Sequence, residues 1–127
     1  MNVVECIRKA EKLLPGVPAP DDANDPRWQA IIEVAEFVES EPLQVWEFAK
    51  RWGSSDQEDL RLAIATCVLE HLLEHHFELL FPKIEAAVRG NANLMETLRR
   101  CSKFGDAAIP ANAQRLERLL KVKARAS

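Results

Sequence analysis

The sequence contains no tyrosine and few runs of β-branched residues, and nowhere does it sustain an alternation of apolar and polar residues. Aromatic and β-branched runs with a period of two are the features that indicate β-strands. Their absence excludes a fold built on a sheet. Helix-boundary residues, by contrast, are frequent along the chain, and the sequence therefore predicts an all-α protein.

Cysteine is also scarce. The chain contains three cysteines, Cys6, Cys67 and Cys101, which lie far apart in the sequence. An odd number at this spacing does not form a disulfide framework, and it predicts reduced thiols in the cytoplasm. No apolar run approaches the ~20 residues of a membrane span. Charged residues within positions 1–14 argue against a signal peptide. We therefore expect a cytoplasmic protein with no membrane partner.

Signatures of catalysis are missing too. The chain has only four glycines and no glycine-rich phosphate loop, and no Ser-His-Asp or Cys-His set is indicated by position. We therefore predict that the protein is not an enzyme and needs no cofactor.

The net charge of −3 is unevenly distributed. Residues 1–90 hold 17 acidic and 9 basic side chains, a balance of −8, whereas residues 91–127 hold 3 acidic and 8 basic ones, a balance of +5. Nucleic-acid binding requires a broad positive face. An acidic body with a basic C-terminal part therefore argues against nucleic acid as the main partner.

The pattern of helix boundaries predicts one domain over residues 1–127, with six or seven antiparallel helices, an irregular linker over 15–25 and a frayed basic tail over 121–127. Ser55 to Phe77 predicts a long helix that is apolar on nearly every side and must be covered by the other helices. Ser55-Asp56-Gln57-Glu58 predicts a capping box at its start. Pro82 predicts the start or a kink of the next helix.

The central helix contains the sequence Glu58-Asp59-Leu60-Arg61-Leu62-Ala63-Ile64-Ala65-Thr66-Cys67-Val68-Leu69, followed by Leu72 and Leu73. This segment resembles the second helix of a HEAT-type repeat, with Pro42–Trp52 as the first helix of the unit. The resemblance implies a short stack of helical pairs that binds other proteins, and a carboxylate partner for Arg61. A compact orthogonal bundle of the same helices is the alternative.

His71-Leu72-Leu73-Glu74-His75 matches the HxxEH pattern of the inverted zinc metallopeptidases. The spacing places His71 and His75 on one helix face, where both imidazoles could hold one zinc ion. Those enzymes are several times longer, however, and nothing here marks the third, acidic ligand. We therefore predict no metal site and two packed histidines that form hydrogen bonds to neighbouring helices, with a zinc-dependent hydrolase as an alternative.

Five carboxylates lie on two consecutive helices and the turn between them, with no lysine or arginine between Arg27 and Lys50. They are Glu33, Glu36, Glu39, Glu41 and Glu47. A solvated helix face explains such a set, but a binding surface for a basic protein does so too. Trp52, one residue before Gly53, is the tryptophan predicted to be partly exposed and to anchor the interface, with packing in the core as the alternative.

A small acidic, helical chain of this kind is similar in character to the bacterial immunity proteins, whose carboxylates neutralise basic nuclease toxins. The predicted function is therefore non-catalytic binding of a protein with a basic surface, in the manner of an immunity protein or toxin inhibitor. A HEAT-like adaptor or scaffold protein is the alternative.

Overall fold

The computed structural model describes residues 1–15 and 25–122 of the chain. Within these two ranges the protein consists of helices and turns without a strand, so the predicted all-α fold class is confirmed. Most of the predicted 15–25 linker and of the 121–127 tail lies outside the described residues. The α-helices are α1 (Val3–Leu13), α2 (Pro26–Ala35), α3 (Pro42–Trp52), α4 (Glu58–Ile64), α5 (Glu70–Val88), α6 (Ala92–Arg99) and α7 (Pro110–Leu120).

Local chemistry explains several helix starts. The Asn2 side chain accepts the backbone N–H of Glu5 at 2.9 Å, and the Glu5 side chain accepts the N–H of Asn2 in return. Asp25 accepts the N–H of Arg27 at 2.9 Å, as expected of an N-cap residue before Pro26. These bonds satisfy N–H groups that have no partner inside the first turn.

The predicted capping box at the start of α4 is wrong. The helix begins at Glu58, and Ser55 Oγ accepts the N–H of Gln57 at 3.1 Å instead of that of Glu58. The Glu58 carboxylate accepts a hydrogen bond from Arg100 Nη2 at 2.6 Å, so a charged partner from the end of α6 draws it away from the cap. Arg61 also departs from expectation, because its Nη1 donates to the backbone carbonyl of Ser55 at 2.9 Å rather than to a carboxylate.

The predicted long central helix is irregular. A π-helical turn, Ala65–Leu69, joins α4 to α5. The Cys101 thiol donates to the carbonyl of Ala65 at 3.5 Å, which gives an irregular turn a side-chain partner. A break follows at His76, whose φ of −137° and ψ of 40° are not helical, and Pro82 lies inside α5 beyond it. The kink therefore precedes the proline.

The central segment is the centre of the core, as predicted. Six of its large apolar side chains are at most 1% exposed, namely Leu60, Ile64, Val68, Leu69, Leu72 and Leu73. One hydrophobic core contains side chains from all seven α-helices. The other helices thus cover the central one from several directions, as its apolar circumference requires.

Helix α6 is bonded to the loop that follows α3. The hydroxyl of Thr97, which is fully buried, donates to the carbonyl of Gly53 at 2.5 Å. Asn91, the N-cap residue of α6, donates from Nδ2 to Ser54 Oγ at 2.7 Å. A Cβ atom at Gly53 would lie 2.6 Å from the carbonyl oxygen of Ala49 in the last turn of α3 and 3.0 Å from Leu94 on α6, so the site has no room for a larger residue. These contacts fix the C-terminal end of α3, where Trp52 lies.

Candidate functional site

Two of the five predicted acidic residues are engaged in ion pairs. The Glu33 carboxylate lies 3.0 Å from Lys9 Nζ on α1, and the Glu47 carboxylate lies 3.0 Å from Lys50 Nζ one turn further along α3. Each pair is formally neutral. The predicted acidic face is therefore interrupted at both of its ends.

The remaining three carboxylates, Glu36, Glu39 and Glu41, are exposed in the segment that connects α2 to α3. We refer to these three residues as the acidic turn. Glu39 Oε1 lies 3.6 Å from Nδ1 of His75, a longer separation than that of an ordinary hydrogen bond. Glu36 and Glu41 form no ion pair with any part of the chain that the structure describes. The acidic turn thus keeps most of its negative charge.

Helices α1 and α3 enclose a groove of about 550 Å³, which we call the α1–α3 groove. Val4 on α1 and Leu43 on α3 are 43% and 49% exposed, which is high for large apolar side chains. Glu47 and Trp52 also line this groove. The fold therefore brings two of the predicted site residues together, on the face of α3 that also carries Leu43.

Trp52 has an unusual environment in this groove. Its indole Nε1 is buried and has no hydrogen-bond partner within the described ranges, whereas buried indole N–H groups usually find one. The Arg51 guanidinium lies 5.0 Å from the Trp52 ring and forms an ion pair with Glu11 on α1. The Arg51–Glu11 pair therefore connects the two helices beside the tryptophan.

Val4 and Leu43 were not predicted as site residues. Each lies outside the apolar arc that faces the core, with Val3 and Ile7 marking that arc on α1 and Val45 and Phe48 on α3. The sequence contains a signal for both residues, because a large apolar side chain outside the core-facing arc of a helix indicates an exposed apolar contact. The sequence does not reveal that α1 lies beside α3, however, and so it does not join the two residues into one surface.

The HxxEH motif is arranged around its glutamate. Glu74 Oε1 lies 3.0 Å from His71 Nδ1 and 3.5 Å from His75 Nε2. The hydrogen bond from His71 lowers the pKa of the Glu74 carboxyl below its ordinary value, and nearby His75 acts in the same direction. The prediction that both histidines form hydrogen bonds to neighbouring helices is wrong for His71, whose bond to Glu74 stays within α5. Within the described ranges, no three His, Cys, Asp or Glu side chains are placed to hold a metal ion.

The cysteines are poorly suited to nucleophilic chemistry. Burial raises the pKa of the Cys101 thiol, and the nearby Glu70 carboxylate raises it further. Burial also raises the pKa of Cys67, although a hydrogen-bonding contact with Thr66 opposes this effect. Reactive cysteines are instead thiolates in positively charged surroundings. These two thiols are therefore packing groups.

Comparison with known proteins gives no family. No protein-family model, no curated protein and no solved structure matches this chain. The HEAT-like stacking of helical pairs and the similarity to immunity proteins therefore stay predictions. In the described part of the chain, every helix is too short or too polar to cross a membrane.

Proposed function

We propose that this protein is a non-catalytic binding module for a protein partner with a basic surface. The observation that carries the proposal is the α1–α3 groove, where Val4 and Leu43 expose apolar side chains next to Trp52. Tryptophan and exposed apolar clusters in a concave surface are typical of interaction hot spots. The indole ring of Trp52 lines the same groove and supplies the aromatic contact area expected of an anchor residue.

The acidic turn supports a basic partner. Glu41 precedes Pro42 at the start of α3, and Leu43 follows directly in the groove. Negative charge therefore lies at the same end of α3 as the exposed Leu43. A partner segment that places apolar side chains in the groove and lysine or arginine beside it would be complementary to both features. Opposite charges of this kind mainly accelerate association and exclude wrong partners.

Occlusion of a basic toxin or nuclease is the specific form of binding that we propose. The acidic balance of residues 1–90 and the unpaired charge of the acidic turn support it, because carboxylates can occupy the sites that receive nucleic-acid phosphates. A HEAT-like adaptor would use the same groove without blocking its partner's activity. An activity assay of the captured partner, with and without this protein, therefore distinguishes the two functions.

The groove is tested with a matched pair of variants. Immobilised protein captures partners from a lysate of the source organism, and the affinity of each purified partner is then measured. Leu43→Glu places a charge in the groove and should weaken binding by about tenfold or more, the effect of losing a hot-spot contact. Leu79→Glu is the control, because Leu79 on α5 is 46% exposed and does not line the groove. Equal effects of both variants would contradict the proposed surface.

The charge component is tested by kinetics. Glu36→Lys with Glu41→Lys should slow association and reduce its dependence on salt. Glu96→Lys with Glu117→Lys changes the net charge equally but lies on α6 and α7, away from the acidic turn. A partner whose association rate responds equally to both double variants is attracted by net charge alone, and the acidic turn would then be rejected.

The enzyme alternative has its own test. Elemental analysis of the purified protein measures bound zinc directly. We expect no stoichiometric zinc, because among the described residues no third ligand is placed to complete a site with His71 and His75. Stoichiometric zinc that is lost in His71→Ala, together with peptidase activity, would overturn the binding proposal.

A further inference from the structure

A second concave surface lies between α5 and α7, and its charge is opposite to that of the acidic turn. Its foundation is Arg115 on α7, whose guanidinium lies 4.6 Å from the ring centre of Phe81 and 5.3 Å from that of Phe77. Arg115 Nη1 also donates to the Glu78 carboxylate at 3.2 Å. Stacking uses the flat face of a guanidinium and leaves the other in-plane N–H groups available. Arg115 is therefore held in place while it retains donors.

Two further arginines, Arg89 and Arg118, join Arg115 around a concavity of about 320 Å³. Glu85 is the one carboxylate among the lining residues, and Glu78, which pairs with Arg115, lies beside them. The three arginines and these two glutamates together carry a formal charge of +1. Arg89 Nη2 lies 3.5 Å from Glu85, which is an ion pair longer than an ordinary hydrogen bond. Arg118 makes no side-chain hydrogen bond or ion pair with the residues that the structure describes. We refer to these three residues as the arginine site.

We propose that the arginine site binds the dianionic phosphoryl group of a small phosphorylated molecule. Planar guanidinium groups match the geometry of phosphate oxygens, and a dianion with three terminal oxygens can accept from several arginines together. The buried side chains of Phe81 and Leu119 form an apolar wall of the same concavity, which suits a neutral body attached to the phosphate. The acidic balance of residues 1–90 disfavours a long nucleic acid in this position.

This inference is independent of the proposed function. The arginine site shares no residue with the α1–α3 groove or the acidic turn. Failure of one proposal therefore leaves the other unaffected.

The test is calorimetric titration of the full chain with inorganic phosphate and with phenyl phosphate, at low ionic strength. Arg118→Ala and Arg89→Ala should each weaken binding by about tenfold or more, since each removes a charge-assisted hydrogen bond. Arg99→Ala is the control, because Arg99 is an exposed arginine on α6, lies near Glu96, and does not line the site. Thermal unfolding of each variant shows that the fold is retained. Arg115 is not substituted, because its stacking on the phenylalanines supports the packing of α7.

The charge state of the ligand gives a second readout. Lowering the pH from about 7.5 to about 5.5 converts most of the phenyl phosphate dianion to a monoanion, because the second pKa of a phosphate monoester is about 6. Phosphate binding should then weaken severalfold, whereas sulfate binding should change little. Phosphate binding that is absent, or that survives the loss of both Arg89 and Arg118, would overturn the proposal. Tighter binding of a single-stranded oligonucleotide than of phenyl phosphate would overturn the assignment to a small molecule.

Discussion

The lack of space around Gly53 makes a quantitative prediction. A Cβ atom there would lie 2.6 Å from the carbonyl oxygen of Ala49, 3.0 Å from Leu94 Cδ1 and 3.3 Å from Ile64 Cγ2. Gly90, by comparison, has no atom within 4 Å of the corresponding position. Neither glycine has a positive φ, so alanine fits the backbone at both. Alanine substitution at the two sites therefore differs mainly in the space available.

The expected free-energy changes have opposite signs. Replacing glycine by alanine restricts the unfolded chain and stabilises the folded protein by about 0.4–1 kcal/mol where the methyl group fits. Overpacking a dense region costs about 1–3 kcal/mol, and at Gly53 one of the neighbours is backbone that cannot rotate away. We therefore expect Gly53→Ala to lower the free energy of unfolding by roughly 1–2.5 kcal/mol, the upper part of the overpacking range less the entropic gain. Gly90→Ala should raise it by roughly 0.4–1 kcal/mol.

Urea unfolding, followed by helical circular dichroism, measures both variants against the original protein. Melting temperatures should fall by roughly 4–10 °C for Gly53→Ala and rise by a few degrees for Gly90→Ala. The m-value should stay unchanged, because neither substitution alters the surface exposed on unfolding. Equal stability of the two variants would refute the lack of space around Gly53.

Two further predictions follow from ionisable groups. At about pH 8, the thiols of Cys67 and Cys101 should react with a disulfide reagent far more slowly in the folded protein than in guanidinium, because burial raises the pKa of both thiols. Rapid labelling of Cys101 in the folded protein would contradict its packing. In an NMR titration, the pKa of Glu74 should lie below its ordinary 4.5 and move towards that value in His71→Gln. Because the pKa of Glu74 is lower in the folded protein, any stabilisation by this carboxylate is present above pH 4.5 and is lost as the pH falls through the folded pKa. An unchanged titration of Glu74 in His71→Gln would rule out the His71 bond as the cause of the lowered pKa.

Features that depend on neighbouring residues could be predicted from the sequence. The Asp25 cap, the proline starts of α2, α3 and α7, and the apolar circumference of the central helix all follow from local chemistry. The capping box predicted for α4 does not form, because the Glu58 carboxylate bonds instead to Arg100, a residue that is distant in the chain. The π-helical turn also depends on a distant contact, since Cys101 bonds the carbonyl of Ala65. Periodicity within one helix contains no information about such partners.

The site shows the same division between local and distant information. The Glu47–Lys50 ion pair can be predicted from the sequence, because the two residues lie three apart on one helix. Glu33, by contrast, pairs with Lys9 from a different helix. A carboxylate contributes to a binding surface only if its charge is not already balanced, so the folded structure reduces five candidates to the acidic turn. It also adds Val4 and Leu43, whose exposure depends on the position of α1 beside α3. A binding surface of this kind is defined by helix packing, because both its apolar contacts and its net charge depend on which helices are neighbours.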